Sequence, residues 1–303
     1  MTKIAIYHSH WSEFNITQHP EEFRPIGLCR DKWELTGDLD EADWIYFPLH
    51  YLNCNAEYEN LRFNNVYEKY RHKAILYAMH DSPTFAYHRY TRHGVKFIAQ
   101  PLEGKRTNEK YSIVSVPLQM RKFELEVIKD KKFIEEIRCI PKDHDFCFIG
   151  QTGYEGRNYF RPKNLPLPRG SKYLFSETQP IWEVKDLAER VEMTKEFCRD
   201  VASSKFCFAP RGIGSSSFRL YQSLMSGTIP IIYGMKDRPF TDDLNWDEFS
   251  VNGDLLSVIE PNFEAVLDLD LDKMRERAIE VWDNYFHMEK TDQYLFEKYL
   301  EKK

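Results

Sequence analysis

Apolar residues in the first half of the chain fall into short runs that are separated by segments with a helical pattern. The continuous runs predict strands, because a strand buried on both faces needs few polar residues. The predicted strands are Ile4–Tyr7, Trp44–Phe47, Ala74–Met79, Lys96–Ile98 and Ile113–Val116. Apolar residues at helical spacing predict helices over Glu57–Arg71 and Lys122–Arg138. This order predicts an α/β fold with a parallel sheet covered by helices.

A second cycle of strands and helices follows the polar segment Pro141–His144. Its predicted elements are the strands Asp145–Ile149, Lys205–Ala209 and Ile229–Tyr233 and the helices Leu187–Val201, Ser217–Ser226 and Met274–Glu301, the last with a break near His287. We therefore expect two Rossmann-like domains facing a central cleft, over residues 1–143 and 144–285, and a C-terminal helix over 286–303 that packs back on the first domain. Ligands of such sheets bind at the carboxyl ends of the strands.

Composition and charge narrow the class of protein. The chain has 303 residues, 42% of them hydrophobic and 30% charged, and a formal net charge of −6. The negative charge argues against general nucleic-acid binding, which favours a basic surface. No apolar run approaches the roughly 20 residues of a membrane span, and Met1 leads directly into a predicted strand. We therefore expect a soluble, cytoplasmic protein without a signal peptide, an anchor or a membrane span. The six cysteines form no CxxC pair, which argues against a zinc site or a redox dithiol.

The segment Ser203–Val251 carries the candidate chemistry. Here a predicted strand runs into the turn Pro210–Gly212, and the serine cluster Ser215–Ser217 opens the next predicted helix. The N–H groups and the dipole at a helix N-terminus favour an anion. Arg219 lies in the first helical turn, where the dipole disfavours a cation. With Arg211 in the turn, this arrangement predicts a phosphate site.

The residues alone also leave a purely structural turn open. A strand, a glycine turn and a helix occur together in α/β proteins that bind no ligand there. The segment lacks the Gly-Lys-Ser/Thr of a Walker loop and the GxGxxG of a dinucleotide fold. A kinase or a sulfotransferase is therefore disfavoured.

Four linked blocks in this segment closely resemble the donor-binding half of exostosin-type glycosyltransferases (family 47). The blocks are Ser204–Gly212, Ser217–Leu220, Gly227–Ile231 and Arg238–Phe240 with Leu244–Trp246. Weaker similarity extends to Ala42–Pro48, Met79–Asp81 and Phe146–Gly150 with Arg157. The resemblance implies a GT-B fold of two Rossmann-like domains, a UDP-sugar donor on the C-terminal half, a glycan acceptor on the N-terminal half and inversion at the anomeric carbon. Xylose and galactose are the first sugars to consider.

The resemblance also implies which residues bind the donor. They are Gly150, Tyr154, Arg157, Arg211, Gly212, Ser215, Ser216, Ser217, Arg219 and Gln222. Gln222 departs from the family pattern, which has a glutamate there that is expected to hold the donor ribose. An amide forms weaker bonds to two hydroxyl groups than a carboxylate does. This departure keeps a second hypothesis open, a non-catalytic nucleotide-binding or glycan-binding protein on the same fold.

Inverting transfer needs a base for the acceptor proton and a stabilised leaving group. Arg211 and Arg219, with the serine cluster, are the leaving-group stabilisers that we expect. Asp81 is the first candidate for the base, followed by His80 and His10, because each follows a predicted strand.

The alternating acidic segment Asp268–Asp272 suggests a metal-binding DxD motif. We interpret it instead as the approach to a helix, with Asp272 as the N-cap residue. No metal or other cofactor is therefore expected, and the UDP-sugar is a co-substrate.

Overall fold

The computed structural model contains two parallel sheets with helices packed on them. It describes residues 1–7, 31–49, 65–78, 97–100, 106–107, 112–115, 122–153, 156–178, 181–212, 216–235, 238–256 and 262–300. The mixed α/β class with parallel sheets, predicted from the apolar runs, is confirmed.

The first sheet has seven strands. They are β1 Thr2–Ile6, β2 Trp33–Leu35, β3 Trp44–Leu49, β4 Ala74–Ala78, β5 Phe97–Gln100, β6 Arg106–Thr107 and β7 Ser112–Ser115. The strand order is β2-β1-β3-β4-β5-β7-β6. Only the edge pair β6–β7 is antiparallel among the described strands.

The second sheet has five strands, all parallel among the described pairs. They are β8 His144–Ile149, β9 Tyr173–Ser176, β10 Ser204–Pro210, β11 Ile229–Tyr233 and β12 Val251–Asn252. The order β12-β11-β10-β8-β9 puts β10, which precedes the serine cluster, at the centre.

Nine α-helices lie in the described part of the chain. They are α1 Asn65–Tyr70, α2 Lys122–Lys129, α3 Lys131–Arg138, α4 Leu187–Ala202, α5 Phe218–Met225, α6 Gly253–Leu256, α7 Phe263–Leu267, α8 Leu271–Val281 and α9 Met288–Leu295. Two short π-helices follow α8 and α9, at Trp282–Phe286 and Phe296–Leu300. Within the described ranges, no helix is both long enough and apolar enough to cross a bilayer.

Two helix predictions need correction. The single helix predicted over Lys122–Arg138 is two helices, because the side chain of Asp130 accepts a hydrogen bond from Phe133 N at 3.1 Å and starts a new helix. Asp270, and not Asp272, is the N-cap of α8, since its side chain accepts from Lys273 N.

The contacts divide the chain into two compact units. The first unit comprises Met1–Leu118, Lys236–Phe240 and His287–Lys303, and the second comprises Gln119–Met235 and Thr241–Phe286. Residues 119–143, assigned to the first domain on sequence, therefore cluster with the second unit.

The C-terminal segment packs within the first unit. Trp44 on β3 donates from its indole N–H to the carbonyl of Leu300 at 3.0 Å. Lys32 forms an ion pair of 3.1 Å with Glu297. Both contacts join residues more than 250 positions apart in the sequence and attach the π-helix Phe296–Leu300 to the first sheet's unit.

The buried ammonium of Lys73 secures a turn in the same unit. Its Nζ donates to the carbonyl oxygens of Leu39, Asp40 and Ala42 at 2.6, 3.2 and 2.7 Å. The side chain is 7% exposed. One cation thus satisfies three backbone acceptors that precede β3.

The two faces of the second sheet carry different side chains. One face is aromatic, with Phe146 and Phe148 of β8 stacked on Phe206, Phe208 and Phe160. The other face holds small side chains, including the register partners Cys147 and Cys207, which α4 covers. Strand alternation sends successive residues to opposite faces, so β8 contributes to both cores.

A buried lysine lies at the amino edge of the second sheet. Lys142 lies two residues before the start of β8, and its Nζ donates to the carbonyl of Ala202 at 2.7 Å and to Thr228 Oγ1 at 3.0 Å. Burial, and secondarily the charge of Arg275, lowers the pKa of Lys142 to about 7. The charged form of this side chain is therefore unfavourable in the folded protein.

Candidate functional site

The carboxyl edge of the second sheet is rich in glycine. Gly150 follows β8, Gly212 lies two residues after β10, Gly234 follows β11 and Gly253 follows β12. Because the strands are parallel, these four ends meet at one edge, which is where such sheets bind ligands. The edge therefore has little side-chain bulk of its own.

Backbone hydrogen bonds fix the turn after β10. Arg211 N donates to Tyr233 O at 3.0 Å, and Gly212 N donates to Ser216 O at 2.9 Å. The side chain of Arg211 is exposed and lies beside Gly234, where an added Cβ would come within 3.0 Å of Arg211 Cδ. Its guanidinium forms no hydrogen bond with any residue that the structure describes, so it is available to a ligand.

Helix α5 begins beside this turn with an unusual cap. Ser217 has the extended backbone of an N-cap residue, with φ −140° and ψ 128°, but its side chain caps no N–H group. The side chain is 3% exposed, and Oγ has no hydrogen-bond partner in the described structure. An unpaired buried hydroxyl is costly, and the first N–H groups of a helix also lack internal partners. Both features suit an anionic ligand.

Arg219, in the first turn of α5, reaches across the end of β8. Its Nε donates to Ile149 O at 2.6 Å, and its guanidinium lies 4.9 Å from the ring centre of Phe148. Phe148 belongs to the aromatic face, whereas α5 packs on the opposite face through the contact of Ser223 with Cys207. The side chain therefore crosses the strand end.

Gly150 makes this crossing possible. It has φ +146°, and an added Cβ would lie only 1.6 Å from Arg219 Nη2 and 2.6 Å from Cζ. No other residue type leaves this space open. The glycine and the arginine thus form one structural unit.

Arg157 supports the turn after β10 by binding its backbone. The left-handed backbone of Gly156, φ +77°, starts the 3-10 helix Arg157–Phe160. Arg157 is 8% exposed, and its Nε and Nη2 donate to the carbonyl oxygen of Arg211 at 3.2 and 3.0 Å. Its guanidinium therefore positions the Arg211 turn.

The site is electropositive. Burial, and then the charge of Arg157, lowers the pKa of Arg219 to about 10. Among the described residues no carboxylate pairs with Arg219. Arg219 is still protonated at neutral pH, but the shift shows that its charge is poorly compensated. A bound anion would remove this penalty.

Comparison with known proteins identifies the family. The sequence profile of the Exostosin GT47 domain matches residues 19–263, which is most of the chain. The chain belongs to the exostosin GT47 family of glycosyltransferases. The resemblance drawn from the four sequence blocks is confirmed.

Three proteins of Arabidopsis thaliana match over shorter stretches. Two probable glycosyltransferases are 39% identical over 66 residues and 35% identical over 92 residues, covering 22% and 28% of this chain and 13% and 17% of the relatives. The probable arabinosyltransferase ARAD1 is 28% identical over 140 residues, covering 43% of this chain and 31% of the relative. The aligned stretches thus span less than a third of each relative.

Gln222, at the position of the exostosin-pattern glutamate, lies on α5 three residues after Arg219. It lines a small cavity between helices, together with Glu124, Thr194 and Trp282. None of the three arginines of the site is among the described residues that line this cavity.

Some of the other predicted site residues lie together at the sheet edge, and the rest lie outside the described residues. Gly150, Arg157, Arg211, Gly212, Ser217 and Arg219 meet at one edge of the sheet. Ser216 is beside them, and its Oγ lies 3.3 Å from Tyr221 Oη. Tyr154, Ser215 and the base candidates Asp81, His80 and His10 lie outside the described residues. The described residues contain no cluster of His, Cys, Asp and Glu that would hold a metal ion.

One part of the edge was missed on sequence. Gly234 N donates to both carboxylate oxygens of Asp254, at 3.1 and 3.0 Å. The sequence shows that Tyr233-Gly234 and Asn252-Gly253 both end an extended segment in glycine, but the contact between the two ends depends on the sheet order. Asp254 follows directly and places a carboxylate at the same edge.

Proposed function

We propose that this protein is an inverting glycosyltransferase that moves a sugar from a UDP-sugar to a hydroxyl group of a glycan acceptor, without a metal cofactor. The observation that carries the proposal is the meeting of Arg211, Arg219 and the buried hydroxyl of Ser217 at the start of α5. Membership in the exostosin family supports the reaction class.

The reaction would be a direct displacement. The acceptor oxygen bonds to the anomeric carbon while the bond from that carbon to the β-phosphate oxygen breaks. The acceptor proton goes to a base, and the electron pair of the broken bond leaves with UDP. Catalysis then depends on stabilising the negative charge that grows on the diphosphate.

The arginines and the helix terminus supply this stabilisation in our proposal. Arg219 is held by Ile149 O and by the ring of Phe148, so its guanidinium is already ordered before the donor binds. Preorganised donors need no rearrangement during the reaction. In metal-dependent transferases a divalent ion neutralises the same charge, and here two cationic side chains would take that task.

The acceptor side of the proposal rests on sequence. We place the donor on the second unit and the acceptor on the first, in a GT-B arrangement. Asp81 is our first candidate for the base, and His80 and His10 are the alternatives. A carboxylate or an imidazole within hydrogen-bond reach of the acceptor hydroxyl would take its proton.

The donor sugar is a matter for assay. Xylose and galactose are the first candidates, and arabinose joins them because one relative is named a probable arabinosyltransferase. Gln222 favours one alternative function, a nucleotide-binding or glycan-binding protein that transfers nothing, because it replaces a family carboxylate.

A panel of UDP-sugars tests these proposals. UDP binding is measured by calorimetry, and UDP release is measured by mass spectrometry with and without glycan acceptors and EDTA. We expect turnover of at least one donor that EDTA leaves unchanged. Tight UDP binding without turnover of any donor would favour the alternative function, and activity that is lost in EDTA and restored by Mn²⁺ would refute the metal-free mechanism.

Arginine variants connect the activity to the site. Arg211→Ala and Arg219→Ala should each lower turnover by about a hundredfold or more, the usual loss for a charge-stabilising donor. Arg169→Ala is the matched control, because Arg169 is an exposed arginine of the same unit that pairs with no described carboxylate. Equal activity in all three variants would show that the reaction takes place elsewhere.

A further inference from the structure

A cluster of three polar side chains lies at the carboxyl ends of β8 and β9. Thr152 is the third residue after β8, and Glu177 directly follows β9. The hydroxyl of Thr152, a residue that is 3% exposed, donates to Glu177 Oε1. Arg161 Nη2 donates to Thr152 Oγ1 at 2.6 Å and to Glu177 Oε1 at 3.0 Å. These bonds hold the carboxylate in place beside Gly150, whose N–H donates to Ser176 O at the end of β9.

The cluster adjoins the candidate diphosphate site along the chain and across the sheet. The 3-10 helix that begins at Arg157, which binds the turn after β10, ends immediately before Arg161. At about 2 Å for each residue, the backbone of Arg161 lies about 8 Å from that of Arg157. Across the sheet, β9 is the neighbour of β8, whose end is crossed by Arg219, and neighbouring strands lie about 5 Å apart. These separations are within the length of a nucleoside diphosphate.

The strand order favours this side of the edge for a nucleoside. In chain order β9 is added on one side of β8 and β10 on the other, so the end of β8 is a topological switch point, where open α/β sheets bind ligands. In dinucleotide-binding folds, a carboxylate about 20 residues beyond the glycine turn accepts from a ribose hydroxyl. The GxGxxG spacing is absent here, but Glu177 lies at a similar separation from Gly156 and ends the next strand.

The electrostatics of the cluster suit a neutral sugar beside a diphosphate. Arg161 Nη2 also lies 3.0 Å from Glu177 Oε2, and this pairing offsets the repulsion between the carboxylate and a nearby phosphate. The two side chains are 40% and 44% exposed, so a ligand reaches both. Among the described residues, the Glu177 side chain forms hydrogen bonds and ion pairs only with Thr152 and Arg161. A carboxylate has about four acceptor positions, so it has capacity for the hydroxyl groups of a ribose.

We propose that Glu177, held by Thr152 and Arg161, accepts the ribose hydroxyls of the donor nucleotide and makes the site selective for ribonucleotides over 2′-deoxyribonucleotides. The proposal rests on the function proposed above and adds a specificity-determining residue to it. It gives Glu177 the task that the exostosin pattern assigns to the glutamate replaced by Gln222.

The test compares the affinities of UDP and 2′-deoxy-UDP for the whole protein by calorimetry in EDTA. Because a hydroxyl group donates to a charged acceptor, the wild type should prefer UDP by roughly tenfold to a hundredfold. Glu177→Ala should reduce this preference to about threefold or less. Glu177→Gln keeps an oxygen for Thr152 and Arg161 and should retain an intermediate preference. The control Glu192→Ala removes an exposed carboxylate of α4 in the same unit and should keep the wild-type preference.

The ratio of the two affinities separates recognition from support. If Glu177 only holds Thr152 and Arg161 in place, its variants lose affinity for both nucleotides equally, the ratio stays at the wild-type value, and the inference is overturned. A wild type that binds both nucleotides equally well overturns it without any variant and leaves the proposed function standing. A wild type that binds neither nucleotide overturns the proposed function as well, so the two failures are distinct.

Discussion

Lys142 provides the sharpest stability prediction. Its ammonium group is buried at the amino edge of the second sheet, where it donates to Ala202 O and Thr228 Oγ1. Both acceptors are uncharged, and the nearby Arg275 disfavours a second cation. We therefore expect the Lys142→Met variant to lose a pH dependence of stability that the wild type has.

The magnitude follows from the pKa. The pKa of Lys142 is about 7 in the folded protein, against an ordinary value of 10.5. Between these values the unfolded chain binds more protons, so the free energy of unfolding rises with pH. At 1.36 kcal/mol for each unit, the whole shift corresponds to about 5 kcal/mol. About 2 kcal/mol of this develops between pH 7 and pH 9.

Urea denaturation at pH 7, 8 and 9, followed by tryptophan fluorescence, measures the effect. From pH 7 to pH 9 the wild type should gain about 2 kcal/mol more than Lys142→Met. The control is Lys163→Met, which removes an exposed lysine of the same unit and should follow the wild type. Parallel pH profiles of the wild type and Lys142→Met would refute the reasoning.

Three further predictions concern other single groups. Gly150→Ala should displace the guanidinium of Arg219 and weaken UDP binding about tenfold, since a charge-assisted bond is worth about 1.5–3 kcal/mol; calorimetry measures this. Arg157→Lys should weaken UDP binding by about threefold to tenfold in the same assay, because lysine lacks the planar fork that holds the Arg211 carbonyl. Lys73→Met should lower the free energy of unfolding by about 3 kcal/mol in urea, since three backbone carbonyls lose their donor.

Each of these variants has a contradicting outcome. Gly153→Ala is the control for Gly150→Ala, because a Cβ there meets nothing within 4 Å, and equal affinity of the two would contradict the close approach to Arg219. Unchanged binding in Arg157→Lys would show that the Arg211 turn needs no second anchor. A Lys73→Met variant as stable as the wild type would show that other groups satisfy the carbonyls.

Local patterns in the sequence predict much of the fold. The runs around Ile4, Ile45, Cys147 and Cys207 became strands because continuous apolar sequence suits a buried parallel sheet. The break at Asp130 was missed because the apolar period continues across it. Only the cap, a hydrogen bond from Phe133 N, separates the two helices. The spacing of apolar residues indicates which side chains are buried, but it gives no information about a single capping hydrogen bond.

The site was predictable as far as it lies on one segment. Arg211, Ser217 and Arg219 are close in sequence and also meet in space. The contact of Asp254 with Gly234 joins two strands and depends on the sheet order, which no local pattern encodes. The roles of Gln222 and Arg157 depend in the same way on tertiary packing.

The pair of arginines at the strand ends also has an evolutionary meaning. The charge of Arg157 disfavours that of Arg219, and no described carboxylate neutralises Arg219. An uncharged side chain in place of Arg219 would remove this repulsion together with the contacts to Ile149 O and the Phe148 ring, and the anion site would be lost. Persistence of both arginines in a lineage would thus record selection for a ligand, and their joint loss would identify homologues that kept the fold and gave up the chemistry.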